Sequence, residues 1–90
     1  MKAKAGKRLA EILGELKDGA EDEDVPLVRK RFYRTILSFV REWMIAGSME
    51  RFRAFRNIEA VEEAYRQSER SISDETVLMF LADRMTFPAK

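Results

Sequence analysis

The sequence predicts an all-α fold, a compact bundle of four or five helices. Apolar residues recur at intervals of three and four along most of the chain, which is the spacing that lines one face of a helix. Helix-capping residue types precede several of these runs, and no run alternates as a half-buried strand would. Of the 90 residues, 46% are hydrophobic and 37% charged, which is typical of a single globular domain, here residues 1–90.

The first helix is predicted over residues 3–17. Four apolar residues at i, i+3, i+4 and i+7 give it a single stripe: Leu9, Ile12, Leu13 and Leu16. Gly19 favours its end. Residues 18–24 carry five acidic side chains, and such a run packs poorly, so we predict an acidic linker there.

The second helix is predicted over residues 26–46. Asp24 is a suitable N-cap, Pro26 fits the first turn, and Gly47 is a natural stop. The apolar residues cover about half of the helical wheel at ~100° per residue. An apolar face this broad predicts a central helix that is contacted from two sides.

Between residues 49 and 61, an apolar residue stands at every third position. On an α-helix, successive residues of such a series are rotated by ~60° about the helix axis, so they cannot all lie on one face. The pattern predicts two helices, 49–56 and 58–70, with Ser48 and Asn57 as their caps. The alternative is one helix contacted on two faces.

The last helix is predicted over residues 74–85, with Ser73 as its N-cap and acidic residues in its first turn. Its buried stripe is expected to be Val77, Leu78, Leu81 and Met85. Short links make neighbouring helices antiparallel.

The chain has no histidine and no cysteine. It therefore lacks the commonest general base, the thiol nucleophile and the usual transition-metal ligands. We expect no catalytic residues, cofactor, metal or small-molecule substrate, and so no enzyme. No stretch has the ~18 apolar residues of a membrane span. The lack of cysteine fits a cytoplasmic location.

The leading functional hypothesis is a non-enzymatic helical module for protein–protein interaction, either self-associating or a small subunit of a larger assembly. The second predicted helix is rich in aromatic residues and methionine, which interfaces favour. The expected interface residues are Phe32, Tyr33, Leu37, Val40, Trp43 and Met44.

The alternative hypothesis is an accessory nucleic-acid-binding protein. Residues 25–56 hold eight basic groups against two acidic ones, and arginine suits phosphate and bases. The expected binding residues are Arg29, Lys30, Arg31, Arg34, Arg41, Arg51, Arg53 and Arg56. Phe52 and Phe55 lie among them and could stack on bases, although aromatic residues at this spacing are more often part of a core.

Overall fold

A computed structural model describes residues 2–70 and 72–88 of the chain, and within them it contains four α-helices and no strand. The all-α prediction is confirmed, with four α-helices packed around one core. The helices are α1 (Lys2–Asp18), α2 (Val25–Ile45), α3 (Arg51–Ser68) and α4 (Asp74–Arg84).

Two predicted helix ends are confirmed by their hydrogen bonds. After α2, Gly47 has a φ of 77°, and the Ser48 and Gly47 N–H groups donate back to the carbonyls of Trp43 and Met44. This is the Schellman arrangement, which needs a residue that tolerates positive φ. Before α4, the Ser73 hydroxyl accepts from the Thr76 N–H at 3.2 Å. Local sequence therefore determines both ends.

Two predicted caps are wrong in detail. Asp24 occupies the position before α2, but its side chain makes no capping bond, because residues 22–24 form a 3₁₀ turn that leads directly into the helix. Ser48 does not cap α3, since its N–H closes the end of α2 and the helix begins only after Glu50.

The predicted break near Asn57 is also wrong, because α3 runs without interruption from Arg51 to Ser68. Its buried stripe is made of small residues at alternating steps of three and four: Ala54, Asn57, Val61, Ala64 and Ser68. This spacing stays on one face of a helix. Phe52 and Phe55, whose positions suggested the drift, are 65% and 52% exposed and do not belong to the core.

Asn57 is the buried polar residue that fastens α3 to the segment after α4. Its side-chain amide donates to the Thr86 carbonyl, and its side-chain oxygen accepts from the Thr86 N–H, both at 2.8 Å. The two bonds satisfy an asparagine that is only 1% exposed. They also hold Phe87 beside Trp43, with ring centroids 6.1 Å apart.

The helices form a ring in which α1 packs on α4, α4 on α3, and α3 on α2. The α1–α4 approach is close, because a Cβ atom on Gly6 would lie 2.8 Å from the Met79 Cα. Tyr33 and Tyr65 join α2 to α3, with ring centroids 5.6 Å apart. The ring closes least tightly between α1 and α2.

Candidate interaction groove

The loose seam between α1 and α2 forms an open groove of about 380 Å³, which we call the α1–α2 groove. Its lining is Leu9, Ile12, Leu16, Val28, Arg31, Phe32, Thr35, Ile36 and Phe39. Seven of these nine side chains are apolar. The Thr35 hydroxyl already donates a hydrogen bond to the Arg31 carbonyl at 2.9 Å, so a bound partner does not need to supply an acceptor for it.

The side chains that line the groove differ in how deeply they are buried. Phe32 and Ile36 are 7% and 8% exposed and form its floor. Leu16 and Phe39 are 49% and 52% exposed and offer apolar surface to solvent. An apolar surface of this kind, bordered by polar residues, marks an interaction site more often than a singly exposed side chain does.

The stripe on α1 is divided between two neighbours, and this division creates the groove. Leu13 is fully buried, and Gly6 on the same side meets α4. Leu9, Ile12 and Leu16 face the seam with α2 instead. Leu16 belongs to the predicted apolar stripe of α1, but neither Leu16 nor Phe39 is among the predicted interface residues. The sequence feature that could have indicated Phe39 is the apolar face of α2, which is wider than one neighbouring helix can cover.

The structure places most of the predicted interface residues inside the chain's own core. Phe32, Tyr33 and Val40 are buried, and Leu37, Trp43 and Met44 pack partly buried against them. Of the six, only Phe32 also lines the α1–α2 groove. Packing within the chain therefore accounts for this face of α2. Phe39 exposes apolar surface on the side next to α1, and Ile45, outside the groove, is 78% exposed.

Three of the eight predicted nucleic-acid-binding residues have partners within the chain. Arg29 forms an ion pair with Asp74 at 3.1 Å, and its side chain is 28% exposed. Arg53 pairs with Glu50 at 3.3 Å, and the Arg56 guanidinium lies 5.5 Å from the centre of the Phe52 ring.

The other five predicted nucleic-acid-binding residues lie on α2 and at the start of α3. Lys30, Arg34 and Arg41 share a face of α2, are exposed, and have no ion-pair partner in the part of the chain that the structure describes. Arg31 lines the α1–α2 groove, and Arg51 is exposed at the start of α3. Arg53 and Arg56 line a different cleft of about 830 Å³, between α3 and α4, which also contains three glutamates: Glu59, Glu62 and Glu63.

A polar junction at one end of the bundle ties three helices together. The Asp74 carboxylate, 13% exposed, accepts from Lys17 of α1 and from Arg29 of α2. Burial acts to raise the pKa of Asp74, but the hydrogen bonds and positive charges of Lys17 and Arg29 outweigh it and hold the pKa below its usual value. The junction is a structural ion pair that fixes the end of the groove formed by Leu16 and Val28.

Tyr33 lies near this junction with its ring in the core. Its hydroxyl is buried and makes no hydrogen bond of normal geometry to the residues that the structure describes, although the Ser68 hydroxyl interacts with it and acts to lower its pKa. Burial, and secondarily the negative charge of Asp74, raises the pKa of Tyr33 to about 12. The phenol therefore stays neutral over the physiological range.

Comparisons with protein-family models, with curated proteins and with solved structures give no match for this chain. In the described part of the chain, no helix has the length and apolar character needed to cross a membrane.

Proposed function

We propose that this chain is a non-enzymatic interaction module that receives an apolar helical surface of a protein partner in the α1–α2 groove. The observation that carries the proposal is the groove itself: two helices line an open seam with seven apolar side chains, of which Leu16 and Phe39 are about half exposed. Grooves between helices bind amphipathic helices through anchors spaced at i, i+3, i+4 and i+7.

The exposed area of the chain supports the same proposal. A compact monomer of 10.5 kDa is expected to expose about 5,400 Å², whereas this chain exposes 6567 Å². Its radius of gyration of 13.1 Å likewise exceeds the value of about 12 Å expected for this length. The excess of about 1,100 Å² exceeds the ~800 Å² that each partner contributes to a standard interface, but it belongs to the whole chain, including Ile45 and Phe52 outside the groove.

Composition supports a binding role without catalysis. Without histidine and cysteine, the chain is restricted to carboxylates, hydroxyls, lysine, arginine and tyrosine for any proton or group transfer. We include a cytosolic location in the proposal, which the absence of cysteine supports because oxidising compartments favour disulfides.

A photo-crosslinking experiment tests the proposal with a matched control. Phe39 in the groove and Phe55 on the outer face of α3 are the same residue type and are both 52% exposed. Benzoylphenylalanine replaces each of them in turn in the full chain, and cells expressing each variant are irradiated. We expect protein adducts from position 39 that are absent or much weaker from position 55.

The mass of the adduct identifies the partner as a second chain or as a different protein, and either result is consistent with an interaction module. Equal adduct yields at positions 39 and 55, or no protein adduct at position 39, would remove the groove as a binding site.

The exposed basic face of α2 supports a second candidate function, binding to nucleic acid. Lys30, Arg34 and Arg41 lie on one side of α2 and lack ion-pair partners among the described residues. Arginine and lysine side chains are the usual contacts to phosphate oxygens. Anisotropy titrations of labelled DNA and RNA at increasing salt test it, because counterion release makes such binding fall steeply with salt. The triple charge reversal of these residues to glutamate would abolish binding, and unchanged binding would clear this face of the role.

A further inference from the structure

The α1–α2 groove contains both the projecting and the receiving parts of an interface. Leu16 and Phe39 are half exposed, whereas Phe32 and Ile36 form a buried floor. In an interface with twofold symmetry the same patch serves on both sides, so each projecting side chain needs a hollow on that same patch. The groove has side chains of both kinds, projecting and recessed.

Exposed charges flank the groove in a regular arrangement. On α1, Arg8 and Glu15 are seven residues apart, and on α2, Arg31 and Glu42 are eleven apart, so each pair projects within about 20° on its helix. By chain position, Glu15 precedes Leu16 and Arg31 follows Val28 by one turn, so both belong to the linker ends of their helices. Arg8 precedes Leu9 and Glu42 follows Phe39 by one turn, so both belong to the opposite ends, and of the four only Arg31 lines the groove itself. Each end of the groove therefore carries one positive and one negative residue, on opposite helices.

This arrangement is complementary to itself. A twofold axis along the groove places α1 of one copy on α2 of the other, which sets Glu15 against Arg31 and Arg8 against Glu42. A twofold axis across the groove places each helix on its own counterpart, which sets Glu15 against Arg8 and Arg31 against Glu42. Both face-to-face arrangements bring opposite charges together, which favours association and fixes register. The bond of Arg8 to Glu11, at 3.3 Å on an exposed face, contributes little on its own and can exchange.

From the shape, the charges and the excess area, we infer that the partner in the α1–α2 groove is a second copy of this chain, forming a twofold dimer. The inference rests on the proposed function, since it uses the same groove. Each copy would bury Leu16 and Phe39 against the partner's groove, and an interface of standard size would cover most of the excess exposed area.

Sedimentation equilibrium of the full chain over a wide range of concentration tests the inference. The mass should rise from 10.5 kDa towards twice that value as concentration increases. Phe39→Glu should raise the dimer dissociation constant about tenfold per copy, and so about a hundredfold per dimer, because the symmetric interface contains the residue twice. Phe55→Glu, equally exposed but outside the groove, should leave the constant unchanged.

Charge reversal then distinguishes the two arrangements. Arg31→Glu should weaken the dimer, and adding Glu15→Arg should restore it if α1 lies on α2. Adding Glu42→Arg should restore it instead if α2 lies on α2. Restoration by one of these second changes supports the inference, and restoration by neither would overturn the proposed register.

Far-ultraviolet circular dichroism checks that each variant keeps its helices, and Leu16→Gln provides a second groove variant on the other helix. A mass of one chain at every concentration would overturn the inference. If Phe39 still crosslinks in cells to a different protein, the interaction module stands and only the second copy is excluded. Failure of both experiments removes the proposed function as well.

Discussion

Asp74 joins three helices through one carboxylate, and removing its charge is expected to weaken the whole bundle. Its side chain is 13% exposed and binds Lys17 and Arg29, which are each 28% exposed. Asp74→Asn keeps the shape of the side chain and an oxygen acceptor but leaves two partly buried cations without a counter-charge. Lys17 belongs to α1 and Arg29 to α2, so the loss affects the contacts of both helices with α4.

The expected size follows from the burial of the three groups. Removing one partner of a fully buried pair costs about 3–5 kcal/mol, and the partial exposure of both cations reduces that to about 2–3 kcal/mol. For a domain of this length, a loss of that size lowers the Tm by roughly 10–20 °C. Glu75→Gln is the matched control, because Glu75 shares the first turn of α4 but is exposed.

The dependence on pH provides a second, independent readout. The pKa of Asp74 is lower in the folded state, so its charge stabilises the fold above the unfolded pKa of about 3.9, and this contribution is lost as pH falls through the folded pKa. Urea unfolding at one fixed chain concentration should therefore show a large difference between the wild-type chain and Asp74→Asn at neutral pH. That difference should shrink below about pH 4. Equal stabilities at neutral pH, or a gap that does not change with acid, would refute the reasoning.

Three further predictions concern single side chains. In thermal unfolding, Gly14→Ala should stabilise the chain by up to ~1 kcal/mol, because nothing lies within 4 Å of the added Cβ atom. Gly6→Ala should destabilise the chain, because its added Cβ atom would collide with α4. Effects of the same sign would contradict this. Asn57→Ala should cost about 2–4 kcal/mol and expose the Thr86 amide to hydrogen exchange, and unchanged protection of that amide would count against the role given to these bonds. Tyr33→Phe should leave the free energy of unfolding unchanged or slightly higher at neutral pH. Between pH 10.0 and about 12 the phenol ionises in the unfolded wild-type chain but not in the folded one, so the wild type should lose stability there and the variant should not. The same alkaline loss of stability in both proteins would oppose this.

Much of the helical architecture could be predicted because its signals are local. Gly47 ends α2 through its own backbone conformation, and Ser73 caps α4 through a bond that spans three residues. The predicted break in α3 is wrong because hydrophobic periodicity gives weight to large residues. Phe52 and Phe55 set the apparent period, but the buried stripe of α3 consists of alanine, asparagine, valine and serine, so their helix needed no break.

The groove could not be located from the sequence, because spacing shows which residues share a face but not which neighbour covers that face. Leu13 and Leu16 have the same residue type and lie on the same stripe, yet one is fully buried and the other half exposed. The difference arises because α1 packs on α4, which is distant in sequence, rather than closely on α2. The basic residues show the same limit, since only the tertiary structure reveals that Arg29 is held by Asp74.

The close packing of α1 on α4 also has a consequence for the order in which the chain can fold. Gly6 meets Met79, so the contact joins segments that lie nearly the whole described chain apart. Ribosomes add about 5–20 residues per second, so α1 is made several seconds before the helix that covers it. α2 and α3 precede α4 in the chain and can pair before α4 is made, whereas α1 lacks α4, on which it packs, until then. Closing so long a loop costs entropy that is offset only when α4 is present, so α1 should join the bundle last, when α4 docks.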